Sequence, residues 1–197
     1  MVLAPAGASG QVVFEYYQGT AFNVPTTLTI TQADYPRTSS RAHYSVRPLD
    51  DIWYYNLRAG YWKKNAGWVL EFLHHKIYLE NPPSEIESFE VTHGYNLVTL
   101  NRAWRRGQVT FLAGGGVVVA HSHSTIRGRH RPISAPTTLA GATAQGAAGR
   151  RLNLTRWLFA SVEGKLTASW ARVPIADGRA TVPNIAFHAL AGLGVEF

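Results

Sequence analysis

The C-terminal segment constrains the fold most, because its side chains alternate without a break between an apolar face and a small or polar face. The apolar face carries Ile185, Phe187, Ala189, Ala191, Leu193, Val195 and Phe197, and the opposite face carries Asn184, His188, Gly192, Gly194 and Glu196. Residues 158–170 repeat the pattern, with Ser161, Glu163, Lys165, Thr167 and Ser169 between apolar residues. Such strands suit a β-barrel in a membrane, where the apolar face meets lipid and the other face points inward.

The overall composition gives no sign of a membrane-spanning helix. Apolar residues make up 46% of the chain, yet no stretch reaches the roughly 20 apolar residues that such a helix requires. Membrane strands are still compatible with this, because each alternating strand gives only a weak hydropathy signal. Aromatic residues, 12% of the chain, gather near the ends of the apolar runs, as the aromatic girdles at the two membrane surfaces need.

The connections between alternating segments are of two kinds. Short turn signals occur at 65–67, 105–107 and 153–155. The alternate connections are longer and rich in Pro, Ser, Arg and Asp, and they occupy residues 32–50, 81–86, 124–135 and 173–183. Short turns at one end and long loops at the other are typical of outer-membrane barrels.

These boundaries predict an all-β fold, an eight-stranded antiparallel up-and-down transmembrane β-barrel with short periplasmic turns and longer extracellular loops. The predicted strands are 11–31, 51–64, 67–81, 87–104, 108–123, 136–151, 156–173 and 183–197. We expect one domain over residues 1–197, with a flexible N-terminal segment at 1–10. A proline at position 25 interrupts the first strand and implies a bulge, an edge position or two shorter strands. The soluble alternative, a lipocalin-like barrel, would place the apolar residues inside.

Composition is compatible with export to a bacterial outer membrane. The chain has no cysteine, so neither a disulfide framework nor a thiolate metal site is available. Residues 1–10 lack the long apolar core of a secretory signal peptide. If the protein is exported, we expect the numbered chain to be a processed or re-engineered form. The net charge of +7 favours acidic partners such as the phosphates of lipopolysaccharide. The sequence contains no nucleic-acid-binding motif, and we expect no nucleic-acid partner.

The polar faces of the predicted strands indicate what lines the lumen. An eight-stranded barrel is just wide enough for side chains to fill it, and buried charges there must be paired. We therefore expect a structural network that makes the barrel a plug and argues against a transport pore. Its predicted members are Arg58, Glu71, Gln145, Glu163, Lys165, His188 and Glu196.

A denser polar group lies near the predicted mouth. Histidine, lysine and asparagine side chains converging there could supply a proton acceptor, an anion clamp and orienting hydrogen bonds. The candidate catalytic residues are His74, Lys76, His93, Asn96 and Asn101. The alternative is polar packing, and Gly94 within this group suggests a bulge or a close approach of two backbones.

Two further features lie in or beside a predicted loop. His121 and His123 share one face of a strand, a spacing that could hold a metal ion if other strands supply more ligands. The loop that follows carries Arg127, Arg129 and Arg131, which could bind phosphorylated lipopolysaccharide. Ordinary solvation of the rim and the loop is the alternative in both cases. No cofactor is assigned, although an enzyme of this kind could use a divalent metal ion.

Several segments resemble a family of small proteobacterial outer-membrane barrels. The matching residues are Tyr54 to Gly60, Leu70 to Tyr78, His93 to Asn101, Gln145, Phe159 to Lys165 and the region of His188. The family includes lipid A oxidases, which use oxygen to convert the proximal glucosamine of lipid A to aminogluconate. The resemblance covers predicted strands two to eight and implies the barrel fold. The terminal aromatic also resembles the signal by which the barrel-assembly machinery recognises outer-membrane proteins.

Two functions remain open at this point. The first is a non-enzymatic membrane anchor or a subunit of an envelope assembly, with loops that contact lipopolysaccharide and possible protein partners. The second is a lipid A-modifying enzyme, oxidase-like, with the mouth residues near the glucosamine headgroup. The absence of a G-x-S-x-G motif removes one common hydrolase signature.

Overall fold

The computed structural model describes residues 10–50, 53–91 and 94–197. Within these residues all regular elements are β-strands, and no helix is long and apolar enough to cross a membrane. The strands are β1 (Gln11–Val24), β2 (Thr26–Gln32), β3 (Thr38–Ala42), β4 (Tyr44–Ser45), β5 (Tyr55–Lys63), β6 (Ala66–His74), β7 (Ile77–Leu79), β8 (Ile86–Val91), β9 (Tyr95–Arg106), β10 (Val109–Ala120), β11 (His123–Ile126), β12 (Arg129–Arg131), β13 (Thr138–Asn153), β14 (Leu158–Ile175) and β15 (Gly178–Glu196).

Eight of these strands form a closed antiparallel ring. In order around the barrel they are β1, β5, β6, β9, β10, β13, β14 and β15, and β15 pairs with β1 to close the ring. The closing register aligns Val13 with Glu196 and Val24 with Ile185. The predicted eight-stranded barrel is therefore confirmed.

The alternation that predicted the barrel continues along the strands. In β14 buried and exposed residues alternate over nearly the whole length. The exposed positions include Leu166 and Trp170, whereas the buried positions include Glu163, Lys165 and Thr167. An apolar outer face and a polar inner face are the reverse of a lipocalin-like barrel.

Aromatic residues mark the two membrane surfaces. Trp157 is exposed in a short turn at one end of the barrel, and Trp170 is exposed on the outer face of β14 towards the other end. At about 3.3 Å per residue and a tilt of about 40°, they lie about 33 Å apart along the membrane normal. That distance matches the hydrocarbon thickness of a bilayer, about 30 Å.

The first predicted strand divides at Pro25. β1 ends at Val24 and β2 begins at Thr26, and both pair with successive parts of β15. The hydroxyl of Thr26 donates to the carbonyl of Pro183 at 2.6 Å, which fixes the junction to the ring. Of the three alternatives predicted for Pro25, the structure shows the third, two consecutive strands.

The predicted loop at 173–183 is wrong. β14 runs to Ile175 and β15 begins at Gly178, so only a tight turn with Asp177 at φ 53° separates them. The prolines at 174 and 183 suggested a loop, but both lie in paired strands. Val173, Ile175, Ala180 and Val182 are buried, so the period of two continues and the apolar core supports this hairpin.

The other three long connections form a layer of β-structure above the ring together with residues 77–79 and 86–91, so the predicted strands 67–81 and 87–104 each divide between the ring and this layer. Their strands make a five-stranded sheet in the order β12-β11-β8-β7-β4, while β2 and β3 extend the ring sheet beside β15. The chain returns to the ring between β8 and β9, where Gly94 has φ 126° and its carbonyl accepts a hydrogen bond from the His121 amide at 2.9 Å. A Cβ atom on Gly94 would lie 2.0 Å from the Asn96 side chain, so any residue other than glycine would clash at this position.

An apolar core joins this extracellular layer to the barrel. It combines side chains of ring strands, such as Leu73, Val118 and Val173, with Tyr44, Phe89 and Ile126 from the added strands and connections. A second, smaller apolar cluster fills the barrel near the short turns. Its buried members are Val13, Trp62, Val69, Ala103, Leu112 and Phe159.

Candidate functional site

A buried network of charges lies in the barrel interior between the two apolar clusters. The Arg58 guanidinium donates to both carboxylate oxygens of Glu163, at 2.7 and 2.5 Å, and its Nε donates to Glu71. Lys165 Nζ pairs with Glu71 and lies 3.8 Å from Glu163. Two cations thus face two carboxylates, and all four side chains are almost completely buried. The balance of charge explains how these ions are tolerated inside the barrel.

Neutral side chains complete the hydrogen bonds of this network. Gln145 Nε2 lies 2.8 Å from a Glu71 oxygen and 3.0 Å from both Thr99 Oγ1 and Asn101 Oδ1. Gly114 makes room for this arrangement, because a Cβ there would lie 2.5 Å from the Asn101 amide oxygen. On the opposite side Tyr17 accepts from Ser161 and donates to Glu15, each at 2.7 Å.

A second polar layer contains two buried histidines. The rings of His75 and His188 lie 5.2 Å apart. His188 contacts the Tyr54 hydroxyl through Nδ1 and Thr167 Oγ1 through Nε2, the latter at 2.8 Å. His75 Nε2 lies 3.1 Å from Asn23 Oδ1, so its proton is assigned to that nitrogen.

The interior is filled at the level of the charges. Beside the network is a cavity of about 20 Å³, lined in part by Tyr17, Arg58, Ser161 and Glu163. That volume holds about one water molecule. Trp62 and Phe159 pack below the charges, and the large apolar core lies above them. For the described residues, this arrangement is a plug of packed side chains.

Glu196 belongs to a different group at the periplasmic rim. Its carboxylate lies 2.6 Å from Arg151 and 3.8 Å from Arg105. These guanidinium groups also stack on Phe159 and Trp62, at 3.7 and 4.0 Å from the ring centroids. The predicted lumen residues are therefore distributed over three levels: the rim, the charge network and the histidine layer.

The structure brings two of the predicted catalytic residues, His74 and Asn96, into contact and places Asn101 elsewhere. His74 Nδ1 lies 2.7 Å from Asn96 Oδ1, and the His74 ring stacks on Tyr55 at 5.2 Å. By parity, His74 shares the outward face of β6 with Leu70 and Trp68, although its side chain is buried. Asn101 instead points inward and joins Gln145.

Lys76 and His93 complete the predicted set. Lys76 is fully buried, and its ammonium donates to the carbonyls of Arg47, at 3.3 Å, and Asp50. His93 lies outside the described residues. Among the described candidates, the side chains of His74 and Asn96 contact each other, and a shared catalytic site remains a prediction.

The candidate metal ligands have protein partners. His121 contacts Thr137 Oγ1 at 3.2 Å and the Ile133 carbonyl at 2.6 Å, whereas the His123 ring lies against His130 at 5.4 Å. No group of three or more His, Cys, Asp or Glu residues that could hold a metal ion occurs in the described part of the chain.

Arg127 and Arg129 contact neighbouring loops, and Arg131 contacts the connection that follows its own strand. Arg129 pairs with Asp34 at 2.9 Å and with Asp177 at 3.2 Å, and the hydrogen bond to Asp34 raises the pKa of its guanidinium. Arg127 stacks on Tyr35 with a distance of 4.6 Å to the ring centroid. Arg131 donates to the Pro136 carbonyl at 3.2 Å. Lipopolysaccharide binding by these arginines stays a prediction.

A polar contact also ties β4 to the residue after β7. Glu80 accepts hydrogen bonds from the Ser45 hydroxyl and, at 3.1 Å, from Arg47. The Ser45 hydrogen bond is the main cause that lowers the pKa of Glu80, with a further contribution from Arg47. The carboxylate is therefore charged over a wider pH range than an ordinary glutamate.

Sequence reasoning missed several interior residues that the structure places in these layers. Tyr17 and Tyr54 both contact predicted members of the lumen set. Asn23, also missed, accepts a hydrogen bond at 2.8 Å from Asn184, which the alternation of the last strand had placed on the inward face. Parity could have found Tyr17, which lies two residues after the inward Glu15, whereas the contacts of the other three depend on strand register.

The closed ring, its apolar outer face and its filled polar interior define an outer-membrane β-barrel. No protein-family model matches the sequence, and no curated protein is similar to it. Among solved structures, the outer-membrane protein AlkL in lipid bilayers matches with a TM-score of 0.52 at 10% identity, covering 100% of this chain and 94% of that chain. At this identity the match shows the fold alone. The closed barrel with its apolar outer surface places the protein in a bacterial outer membrane.

Two other solved barrels resemble the chain less closely in shape. Neisserial surface protein A has a TM-score of 0.47 at 9% identity, covering 95% of this chain and 97% of that one. The attachment invasion locus protein Ail of Yersinia pestis has a TM-score of 0.42 at 13% identity, covering 95% and 97%.

Proposed function

We propose that this protein is a non-enzymatic, non-conducting barrel that anchors a folded β-layer at the outer surface of the outer membrane. The observation that carries the proposal is the filled interior. The network of Arg58, Glu71, Glu163 and Lys165 spans the lumen, with apolar clusters on both sides of it. A function of such a barrel must lie on its external surfaces.

The extracellular layer has the properties of a rigid platform. Phe89 and Ile126 belong to the same apolar core as Leu73 and Val173 of the ring. A shared core of this kind couples the layer to the barrel, unlike mobile loops that lack buried contacts. The proposed partners are lipopolysaccharide around the barrel, a protein of the envelope above it, and the barrel-assembly machinery at the C-terminal strand.

Electrical recording tests whether the lumen is closed. The purified full-length protein, inserted into a planar bilayer, should give no steady conductance, since the interior cavity beside the charges holds about one water molecule. An open porin inserted under the same conditions is the positive control. Stable, reproducible conductance steps from the folded protein would overturn the proposal.

A lipid A-modifying enzyme is the second candidate, favoured by the position of His74 and Asn96. The two residues lie on outward faces of β6 and β9 at their extracellular ends, where both side chains are buried and the His74 ring stacks on Tyr55. A histidine and an amide on the lipid side of the barrel could reach a glucosamine headgroup and move a proton there.

Mass spectrometry of lipid A separates the two candidates. Under the anchor proposal, cells grown aerobically with and without the protein have the same lipid A. A modified proximal glucosamine that depends on the protein would instead support the enzyme. That change should then disappear in His74→Ala and Asn96→Ala and persist in Lys64→Ala, a variant of an exposed turn residue.

A further inference from the structure

A cleft on the side of the barrel lies just beyond Trp170, towards the extracellular end. It has a volume of about 480 Å³ and is formed by β2, the turn after it, β14 and β15. Arg172 and Arg179 are exposed, and the residues beside them in sequence, such as Val173 and Ala180, belong to the buried core. Because side chains alternate across a strand, both arginines point outward, sideways from the barrel.

The cleft is strongly basic. Arg37 lines it together with Arg172 and Arg179, and the hydroxyl residues Thr31 and Thr181 lie between them. Asp177 is its one carboxylate among the described residues, and that side chain pairs with Arg129. None of the three cleft arginines has an ion pair within the part of the chain that the structure describes. The charge that lines the cleft is therefore available to an external anion.

The height of the cleft identifies the source of that anion. Arg172 follows Trp170 by two residues on the same outward face, and its guanidinium lies 4.9 Å from the Trp170 ring. Two residues of a tilted strand rise about 5 Å along the membrane normal. The headgroup region extends roughly 5–8 Å beyond the hydrocarbon. If Trp170 marks the edge of the hydrocarbon, Arg172 lies among the headgroups.

Arg179 extends the same surface upward. It pairs with Pro174, two residues beyond Arg172, and with Thr31 on the other side. A long arginine side chain can reach several ångströms along the surface towards a charged group. Arg172 and Arg179 can thus contact one headgroup from two heights, with the hydroxyls of Thr31 and Thr181 as further hydrogen-bond donors.

We propose that this cleft binds the phosphate of a lipid headgroup in the outer leaflet, with Arg172 and Arg179 as the principal ligands. Charge-assisted hydrogen bonds from guanidinium groups to phosphate are among the strongest polar contacts. The occupant is a phosphorylated glycolipid of the surrounding leaflet, because the cleft opens sideways at headgroup height. This deepens the lipopolysaccharide contact of the proposed function and locates it away from Arg127, Arg129 and Arg131.

Lipid retention by the folded protein tests the site. Native mass spectrometry of the full chain in detergent micelles would measure binding of bisphosphorylated lipid A and of the same lipid after phosphatase treatment. The wild type should prefer the phosphorylated form by about tenfold or more. The double variant Arg172→Gln/Arg179→Gln should lose that preference and bind both forms alike.

The matched control removes the same charge from the opposite end of the barrel. Arg106 and Arg156 are exposed near the short periplasmic turns, and Arg106→Gln/Arg156→Gln should retain the wild-type preference. Arg172→Lys/Arg179→Lys keeps the charge and should remain within about threefold of the wild type, because lysine also binds phosphate as a point charge. Unheated electrophoretic migration verifies that each variant is folded before binding is compared.

Three outcomes would overturn the proposal. The first is equal retention of phosphorylated lipid A by the wild type and by the folded Gln variant. The second is a wild type that does not distinguish the two lipid forms. The third is a Gln variant that loses binding to soluble heparin but not to lipid A, which would assign the cleft to a soluble polyanion. None of these outcomes depends on whether the barrel conducts ions or modifies lipid A, so this proposal and the proposed function can fail separately.

Discussion

At the scale of single residues, the interior charges matter because each depends on the others. Glu71 accepts hydrogen bonds from Arg58, Lys165 and Gln145, and its side chain is fully buried. A buried ion without its partner costs far more than the pair contributes. The network therefore restricts substitution strongly, even though it is not by itself a large source of stability.

We predict that Glu71→Gln destabilises the folded barrel by about 3–5 kcal/mol. The substitution leaves Arg58 and Lys165 facing Glu163 alone, so one cation loses its compensation. Urea titration of the protein in detergent, followed by tryptophan fluorescence, measures the free energy of unfolding. The exposed variant Glu87→Gln should change it by less than about 0.5 kcal/mol.

A second variant separates loss of charge balance from loss of shape. Glu71→Gln/Lys165→Met removes one charge of each sign and leaves the two-bond pair of Arg58 with Glu163. More than half of the lost stability should return. If the double variant is as unstable as Glu71→Gln, or if Glu71→Gln is as stable as the wild type, the account of the network is wrong.

At the scale of elements, three hairpin ends meet at one side chain. Arg129 begins β12 and pairs with Asp34, between β2 and β3, and with Asp177, between β14 and β15. Tyr35 stacks on both Arg127 and Arg129. These contacts connect loops that lie far apart in the sequence. In the structure, the side chains of Arg127 and Arg129, predicted to bind lipopolysaccharide, therefore contact other loops of the same protein.

We predict that Arg129→Gln loosens these hairpin ends without destabilising the ring. Its contacts are exposed and lie outside the barrel core. Hydrogen exchange of the amides at 33–35 and 177–178 should accelerate several-fold, while the urea midpoint of the barrel stays unchanged. Arg131→Gln, which removes a single contact to Pro136, should leave exchange at both turns near the wild-type rate. Unchanged exchange in Arg129→Gln would contradict the role of this contact.

The bounds of the strands show which turns can be predicted from local sequence patterns and which cannot. The short turns near 65, 107 and 155 were predictable, because turn residues and strand alternation are local properties. The hairpin at Asp177 was not, since Pro174 and Pro183 indicated a loop. Its strands persist because the residues between the prolines pack on the extracellular core, a contact with distant parts of the chain.

At the scale of the whole molecule, the barrel depends on joining the two ends of the described chain. Val12 and Phe197 exchange backbone hydrogen bonds of 3.1 and 3.0 Å beside the seam of β1 and β15. The Phe197 side chain, in contrast, is 75% exposed and faces outward. The backbone of Phe197 closes the barrel, whereas its phenyl side chain contributes little to internal packing.

We predict that Phe197→Ala lowers the amount of barrel assembled in cells and leaves its stability almost unchanged. The aromatic side chain is expected to serve recognition by the assembly machinery, whereas closure uses the backbone. The assembled fraction is measured by unheated electrophoresis of outer membranes, and refolding into detergent gives the stability. Phe187→Ala, an outward residue within the membrane, is the control. Equal assembly of all three proteins would contradict the prediction.

The sequence by itself determined the barrel, its eight strands, its apolar outer face and the residue types inside. These follow from a period of two, which any short segment displays without knowledge of its neighbours. Only the tertiary structure decided which inward residues meet. Lys165 reaches Glu71 across 94 positions of sequence, and Arg129 reaches Asp34 across 95. Such contacts depend on strand register and on ring closure, because a shift of one residue exchanges the two faces of a strand.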